Sequence, residues 1–245
     1  MFVFPEGPSN VFSPWAKVHG QFEPPDSDLS DLYLLGRYRP GRSYYVDDMT
    51  FKVASPLPDP GYESLHIGDP HMPQGGFSYD SATGRFYVEG SGADWGTFDS
   101  FHYVFKPQTG NGELSARVMI PPGAYDFFGK AGVMVRQRLD GYSRHVSVHV
   151  TRDSGVYMQW RRTPSDVTYT TPGSAATPPH WVKVRRMGNT FTGYESTDGN
   201  HRTLVDTQTL PMMLSSAYWG LQLTSNDSSK MCKAIFDNVK FVPLP

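Results

Sequence analysis

Short extended runs, broken by turn residues at close intervals, leave this chain little room for helix. Leu114-Ser-Ala-Arg-Val-Met-Ile120 alternates, with Leu114, Ala116, Val118 and Ile120 on one face. Ala131 to Arg136 is a short apolar run. Arg144 to Thr151 alternates again, and Arg152-Asp-Ser-Gly155 then leads into Val156 to Arg162. Trp181–Arg186, Thr190–Glu195, Tyr218–Thr224 and Ala234–Val242 continue the pattern. The 24 Gly and 21 Pro among 245 residues weaken any long helix, while 38% hydrophobic residues are enough for a core. Many short strands without a helical period predict an all-β sandwich or barrel.

The boundaries follow from proline. Ala54-Ser-Pro-Leu-Pro-Asp-Pro-Gly61 carries three prolines and cannot join a central strand, so 54–68 reads as a linker before a sandwich over 69–245. Residues 1–53 hold three strand-like runs, Trp15–Phe22, Leu32–Gly36 and Tyr44–Val53. Three strands in ~50 residues make a weak independent core. They are expected to leave a sheet edge open, or to complete a sheet with the main domain or another chain.

Several function classes find no support. A formal charge of −2 gives no electrostatic case for nucleic acid or an anionic membrane, and no apolar run is long enough to span a bilayer. The start lacks a basic region followed by a hydrophobic stretch. Cys232, the lone cysteine, excludes an internal disulfide framework. Asn226-Asp227-Ser228 fits the glycosylation triplet, a match common by chance. There is neither a Gly-x-Ser-x-Gly nor a Gly-rich loop leading into a helix.

Two stretches resemble known families. Trp15-Ala-Lys-Val-His-Gly-Gln-Phe22, Leu32-Tyr-Leu-Leu-Gly36 and Tyr44-Tyr-Val-Asp-Asp-Met-Thr-Phe51 resemble the C-terminal part of a jelly-roll carbohydrate-binding module of the kind appended to xylanases and glucanases. That resemblance covers about a fifth of the chain and implies a structural calcium near Asp47 or Asp48. Gly92-Ala-Asp-Trp-Gly96, Phe101-His-Tyr-Val-Phe105, Gly132-Val-Met-Val-Arg136, Tyr142-Ser-Arg-His145, Gly188-Asn-Thr-Phe-Thr-Gly-Tyr194 and Phe236-Asp-Asn-Val239 occur in a familiar order over roughly 69–245. Together they resemble an uncharacterised branch of the concanavalin A-like lectin/glucanase superfamily, often found on secreted bacterial polysaccharide-degrading enzymes. The resemblance implies a two-sheet antiparallel jelly-roll sandwich and an extracellular setting.

The candidate binding residues are Trp95, Tyr103, Arg136, Arg144, His145, His149 and Trp160. If Thr151 faces Val156 across the hairpin, one sheet face carries His145, His149, Met158, Trp160 and Arg162. The opposite face then carries Val146, Val148 and Val150 beside Tyr157, Gln159 and Arg161. The first face could be a sugar platform, with Trp160 stacking on a pyranose; alternatively Trp160 fills the core and both histidines are satisfied sheet residues. His145 and His149 stand ~13 Å apart along a strand, too far for one zinc ion. Trp95, between Asp94 and Gly96, is either a lid over the core or an exposed stacking residue. Arg136 and Arg144 are either solvated strand ends or ligands for an acidic sugar. Tyr103 and His102 face opposite ways, so one of them at most meets a ligand.

Catalysis by a retaining glycosidase needs two carboxyl groups ~5 Å apart. The alternating acid pattern of concanavalin A-like glucanases is absent, and most aspartates sit in turn-like settings such as Asp126, Asp140, Asp153, Asp166, Asp198 and Asp227. The leading expectation is a non-catalytic carbohydrate-binding or accessory region of a larger secreted protein, with a glycan as partner. A hydrolase or lyase with a dispersed acid site is the first rival. An adhesive sandwich that binds protein is the second.

Overall fold

A computed structural model describes residues 61–121 and 129–245. The expectations for residues 1–53, including Asp47 and Asp48, lie outside those residues. The described chain is all β, without a helix. Its strands are β1 (Glu63–Ile67), β2 (Gly76–Asp80), β3 (Arg85–Gly92), β4 (Asp94–Trp95), β5 (Phe98–Asp99), β6 (Phe101–Thr109), β7 (Asn111–Met119) and β8 (Lys130–Arg136). There follow β9 (His145–Thr151), β10 (Val156–Arg161), β11 (Tyr169–Pro172), β12 (His180–Met187), β13 (Thr190–Ser196), β14 (Thr203–Thr209), β15 (Ser216–Thr224) and β16 (Asp227–Leu244).

Two seven-stranded antiparallel sheets face each other. The front sheet runs β1-β6-β15-β8-β9-β10-β11 and the back sheet β14-β13-β12-β7-β16-β3-β2, while β4 and β5 form a separate two-stranded ribbon. This is the expected jelly-roll sandwich. Its first strand, Glu63–Ile67, pairs with β6 and so lies inside the 54–68 stretch that proline marks as linker. The sandwich therefore starts earlier than position 69.

The alternation expected over 114–120 is what builds the core. Leu114, Ala116 and Val118 point inward from β7, Val182 and Val184 from β12, and Phe236 from β16. From the front sheet, Val133, Val135, Val146, Val148, Val150, Leu221 and Leu223 meet them. Each such side chain contributes about 1.5–3 kcal/mol on leaving water. The front sheet also buries apolar groups on its other face: Ile67, Phe101, Tyr103, Phe105 and Met134 form a second cluster there.

One expected pairing is shifted. Val150 pairs with Val156, Val148 with Met158, Val146 with Trp160 and His145 with Arg161. The hairpin loop is thus one residue longer than a Thr151–Val156 pairing allows. Thr151 closes it: its N–H donates to Gly155 O at 2.9 Å, and its Oγ1 accepts the Ser154 N–H at 2.8 Å. Gly155 adopts φ +90°, which a side-chain-bearing residue rarely does. A one-residue slip moves every side chain to the other face. Met158 and Trp160 consequently join the valines in the core, and Tyr157, Gln159 and Arg161 join the histidines outside it.

Candidate functional site

The outer face of the front sheet collects polar and aromatic side chains in rows across its strands. Pairings run Tyr103–Gln222–Gly132–His149–Tyr157 and, beyond an intervening row through Met134 and Ser147, Tyr218–Arg136–His145–Arg161. Tyr103, Arg136, His145 and His149, four of the seven candidates, therefore share one face. Trp160 stands on the other, buried in the core with its ring stacked 6.0 Å from that of Tyr169. The core-filling reading of Trp160 holds, and it does not form a platform with the histidines.

At one end of this face lies a buried ionic cluster centred on Asp99, a residue that sequence reasoning did not single out. Arg161 Nη1 donates to Asp99 Oδ2 at 2.8 Å, Arg136 Nη2 lies 3.3 Å from the same oxygen, and His145 Nδ1 lies 3.5 Å away. All four side chains are at least 97% buried. Burial opposes a charge on Asp99, but His145 when protonated, with the permanent charges of Arg136 and Arg161, outweighs it and leaves the carboxyl below the usual range. Burial also pulls Arg136 down, with Asp99 acting in the opposite direction. It pushes His145 to about 4, against the pull of Asp99, so the ring is neutral at pH 7. Its Nδ1 also faces Ser143 O at 3.3 Å, which favours the tautomer with hydrogen on that nitrogen.

The two guanidinium groups do more than neutralise one carboxylate. Arg136 donates from Nε to Arg138 O at 2.9 Å and from Nη2 to Asp140 O. Arg161 donates to Gly141 O at 3.0 Å, Asp166 O at 2.8 Å, Thr168 Oγ1 at 2.8 Å and Gly96 O at 3.3 Å. Three loops, around residues 96, 140 and 166, are thus tied to a single buried centre. Backbone links reinforce this, with Asp99 N–H donating to Gly141 O at 2.8 Å and Thr168 N–H to Gly96 O at 2.8 Å. Arginine suits the task because its five donors lie in a fixed fork.

What these loops present is aromatic. Phe98 and Tyr142 are exposed by 37% and 45%, and their rings meet edge to face at 4.8 Å. Phe98 lies over Gly141, where a Cβ would come within 2.5 Å of its ring. Trp95 pairs with Phe98 in the β4–β5 ribbon, which brings its backbone to the same tip. Further along the face, His149 Nδ1 lies 3.5 Å from Gln222 Nε2, and burial drives its pKa well below the usual histidine value. His149 Nε2, Ser147 Oγ and Gln222 Oε1 are buried without a hydrogen-bond partner among the described residues, and His149 stacks 6.0 Å from Tyr157.

The other candidates find structural partners. Tyr103 is fully buried, donating its hydroxyl towards Met134 O at 3.0 Å and Tyr218 O at 2.9 Å. Arg136 is no solvated strand end. Its exposure is 0%, and its fork is filled by Asp99 and two carbonyls, so it offers nothing to an acidic sugar. Arg144, half-buried, donates to Arg162 O at 2.8 Å. The four buried carboxylates among the described residues are each matched to a base: Asp94 to Lys130, Asp99 to its arginines, Glu195 to His180 and Asp237 to Arg117. Those described residues hold no group of three or more His, Cys, Asp or Glu side chains able to bind a metal.

No protein-family model and no curated protein matches the chain. Solved structures do. A functionally unknown protein from Saccharomyces cerevisiae matches with a TM-score of 0.56 at 15% identity, over 74% of this chain and 97% of its own. The xylan β-1,4-xylosidase of Bacillus halodurans C-125 matches with 0.52 at 19% identity, over 67% of this chain and 34% of its own. An immunostimulatory antigen and pseudo β-1,3-glucanase of Mycobacterium tuberculosis matches with 0.51 at 10% identity, over 77% of this chain and 94% of its own. The chain thus spans about a third of the xylosidase's length. At these identities the likeness speaks for the fold alone, a two-sheet β-sandwich.

Proposed function

We propose that this chain is a non-catalytic carbohydrate-binding or accessory region of a larger, secreted polysaccharide-active protein, joined there to further domains. The observation that carries the reading is the pairing of all four buried carboxylates among the described residues with bases, beside a loop tip bearing Phe98 and Tyr142. Carboxylates committed in this way are poor acids and nucleophiles, whereas exposed aromatic faces suit the apolar side of a sugar ring. Structural likeness to a xylosidase and a pseudo-glucanase supports the setting without fixing the role.

One observation favours a rival. Asp94 and Asp99 are cross-strand partners in the β4–β5 ribbon, and burial, with a contribution from Asp99, raises the Asp94 carboxyl despite Lys130. A raised acid beside a charged one is how a dispersed hydrolase site would begin. A single glycan panel separates the two. Retention on a polysaccharide without product release, lost in Phe98→Ala and Tyr142→Ala, supports the binding module. Product release abolished by Asp94→Asn overturns it.

A further inference from the structure

A cavity of about 410 Å³ opens between β2, β3 and β16 of the back sheet and Tyr62, which leads into β1, on segments that contribute nothing to the loop tip. It is lined by Tyr62, Tyr79, Arg85, Phe86, Asp237 and Asn238. The volume falls among those of small-molecule sites, about 300–1,000 Å³. Its floor is aromatic. Phe86 is buried, with the Tyr62 ring edge-on at 5.1 Å and the Tyr79 ring tilted at 4.7 Å. Both tyrosines are half-buried, so each combines an apolar ring with a hydroxyl able to donate and accept.

Local backbone geometry sets the polar side. The β2–β3 turn closes through Asp80, which accepts from the Ala82 N–H at 2.9 Å, and Gly84 takes φ +68°. Arg85 follows immediately. Its side chain makes no hydrogen bond or ion pair with another described residue, yet it lies close enough to Asp80 and Asp237 for its charge to act on both carboxyls. Opposite, β16 bulges between Asp237 and Lys240, with Asn238 at φ +51°. Asparagine tolerates that conformation better than most residues do. Asp237 is held by Arg117 Nε at 2.8 Å and by Asn238 Nδ2 at 2.8 Å. Arg85 and Asp237 are the charged residues of the lining, one of each sign, so the rim carries balanced charge and does not act as an anion trap.

We propose that this cavity is a second saccharide site, one that takes a neutral pyranose ring against Tyr62 and Tyr79, backed by Phe86, with its hydroxyls on Arg85 and Asp237. The inference rests on the carbohydrate-binding reading and adds that the chain binds glycan through two separate places. Two linked sites raise avidity on a polymer above that of either alone.

The test is titration calorimetry of the full chain with neutral and uronate-containing oligosaccharides, alongside retention on insoluble polysaccharide. Arg85→Gln and Tyr79→Phe keep size and packing, and thermal unfolding checks that both variants fold. The expected result is a loss of about tenfold or more in affinity for a neutral oligosaccharide in Arg85→Gln, because a charged donor is removed. Retention at the Phe98–Tyr142 tip should survive this change. If neither variant alters any affinity while Phe98→Ala and Tyr142→Ala abolish binding, the second site is refuted and the proposed function stands. A preference for uronates lost in Arg85→Gln would overturn the neutral-ligand assignment. No glycan binding by the unaltered chain would overturn the proposed function, and the second site with it.

Discussion

Acidification should unfold this sandwich through its histidines before its carboxylates are reached. Burial pushes His102 and His145 down to about 4, from an ordinary value of 6.5. The unfolded chain takes up these protons as pH falls through 6.5, while the folded chain holds its rings neutral until about 4. Stability is therefore complete above pH 6.5 and is lost as pH drops through that window. A gap of about 2.5 units at about 1.4 kcal/mol each gives about 3 kcal/mol per histidine by pH 4, and about two-thirds of that by pH 5. The two together should cost about 3 kcal/mol between pH 6.5 and 5, set against a typical total of about 5–15 kcal/mol. His149 and His66 are also lowered chiefly by burial and act in the same direction. His201, raised by Asp198, acts oppositely, but that pair is exposed and screened. Urea unfolding at pH 7, 6 and 5 measures the effect. A midpoint that stays flat or rises on acidification would refute the reasoning, as would folded-state NMR titration of either ring near pH 6.5.

Three substitutions probe other parts of the same account. Asp99→Asn leaves two buried guanidinium groups without their counter-charge and should destabilise by about 3–5 kcal/mol, read as a shift in urea midpoint. Trp160→Ala opens a core cavity and should cost about 3–5 kcal/mol, with glycan retention by the folded fraction unchanged. Loss of retention in folded Trp160→Ala would restore the platform reading. Gly141→Ala drives a Cβ to within 2.5 Å of the Phe98 ring and 2.8 Å of Asp99 O, so it should displace the tip. About 1–3 kcal/mol of stability and most of the glycan retention should go with it.

Much of the sandwich was legible because period-two alternation survives wherever one strand face is buried. Leu114, Ala116 and Val118 declared their face, and the strands expected over 131–136, 144–151 and 190–195 lie where the apolar runs put them. Two of the strands left unmarked lack that signal: Glu63–Ile67 and Thr203–Thr209 are largely exposed, so their side chains do not alternate in polarity. The hub was invisible for a different reason. Asp99, Arg136, His145 and Arg161 are scattered over 60 residues, and only the front-sheet pairing, with Asp99 folded back by its loop, brings them together. An arginine closing an apolar strand reads as a solvated end unless its acid partner is known.

The hairpin shows how a small local choice governs a functional reading. Arg152-Asp-Ser-Gly155 admits both a four-residue loop and a longer one that includes Thr151, and the two differ by one residue of register. In the shorter form Trp160 shares a face with His145 and His149; in the longer form Arg161 does. The burial pattern decides between them, because Val146, Val148 and Val150 must face the same core as Val156 and Met158. The shorter register would have set those three valines beside Tyr157, Gln159 and Arg161. Counting apolar partners across the turn selects the longer loop, and with it turns Arg161 from a core anomaly into the residue that holds the tip loops together.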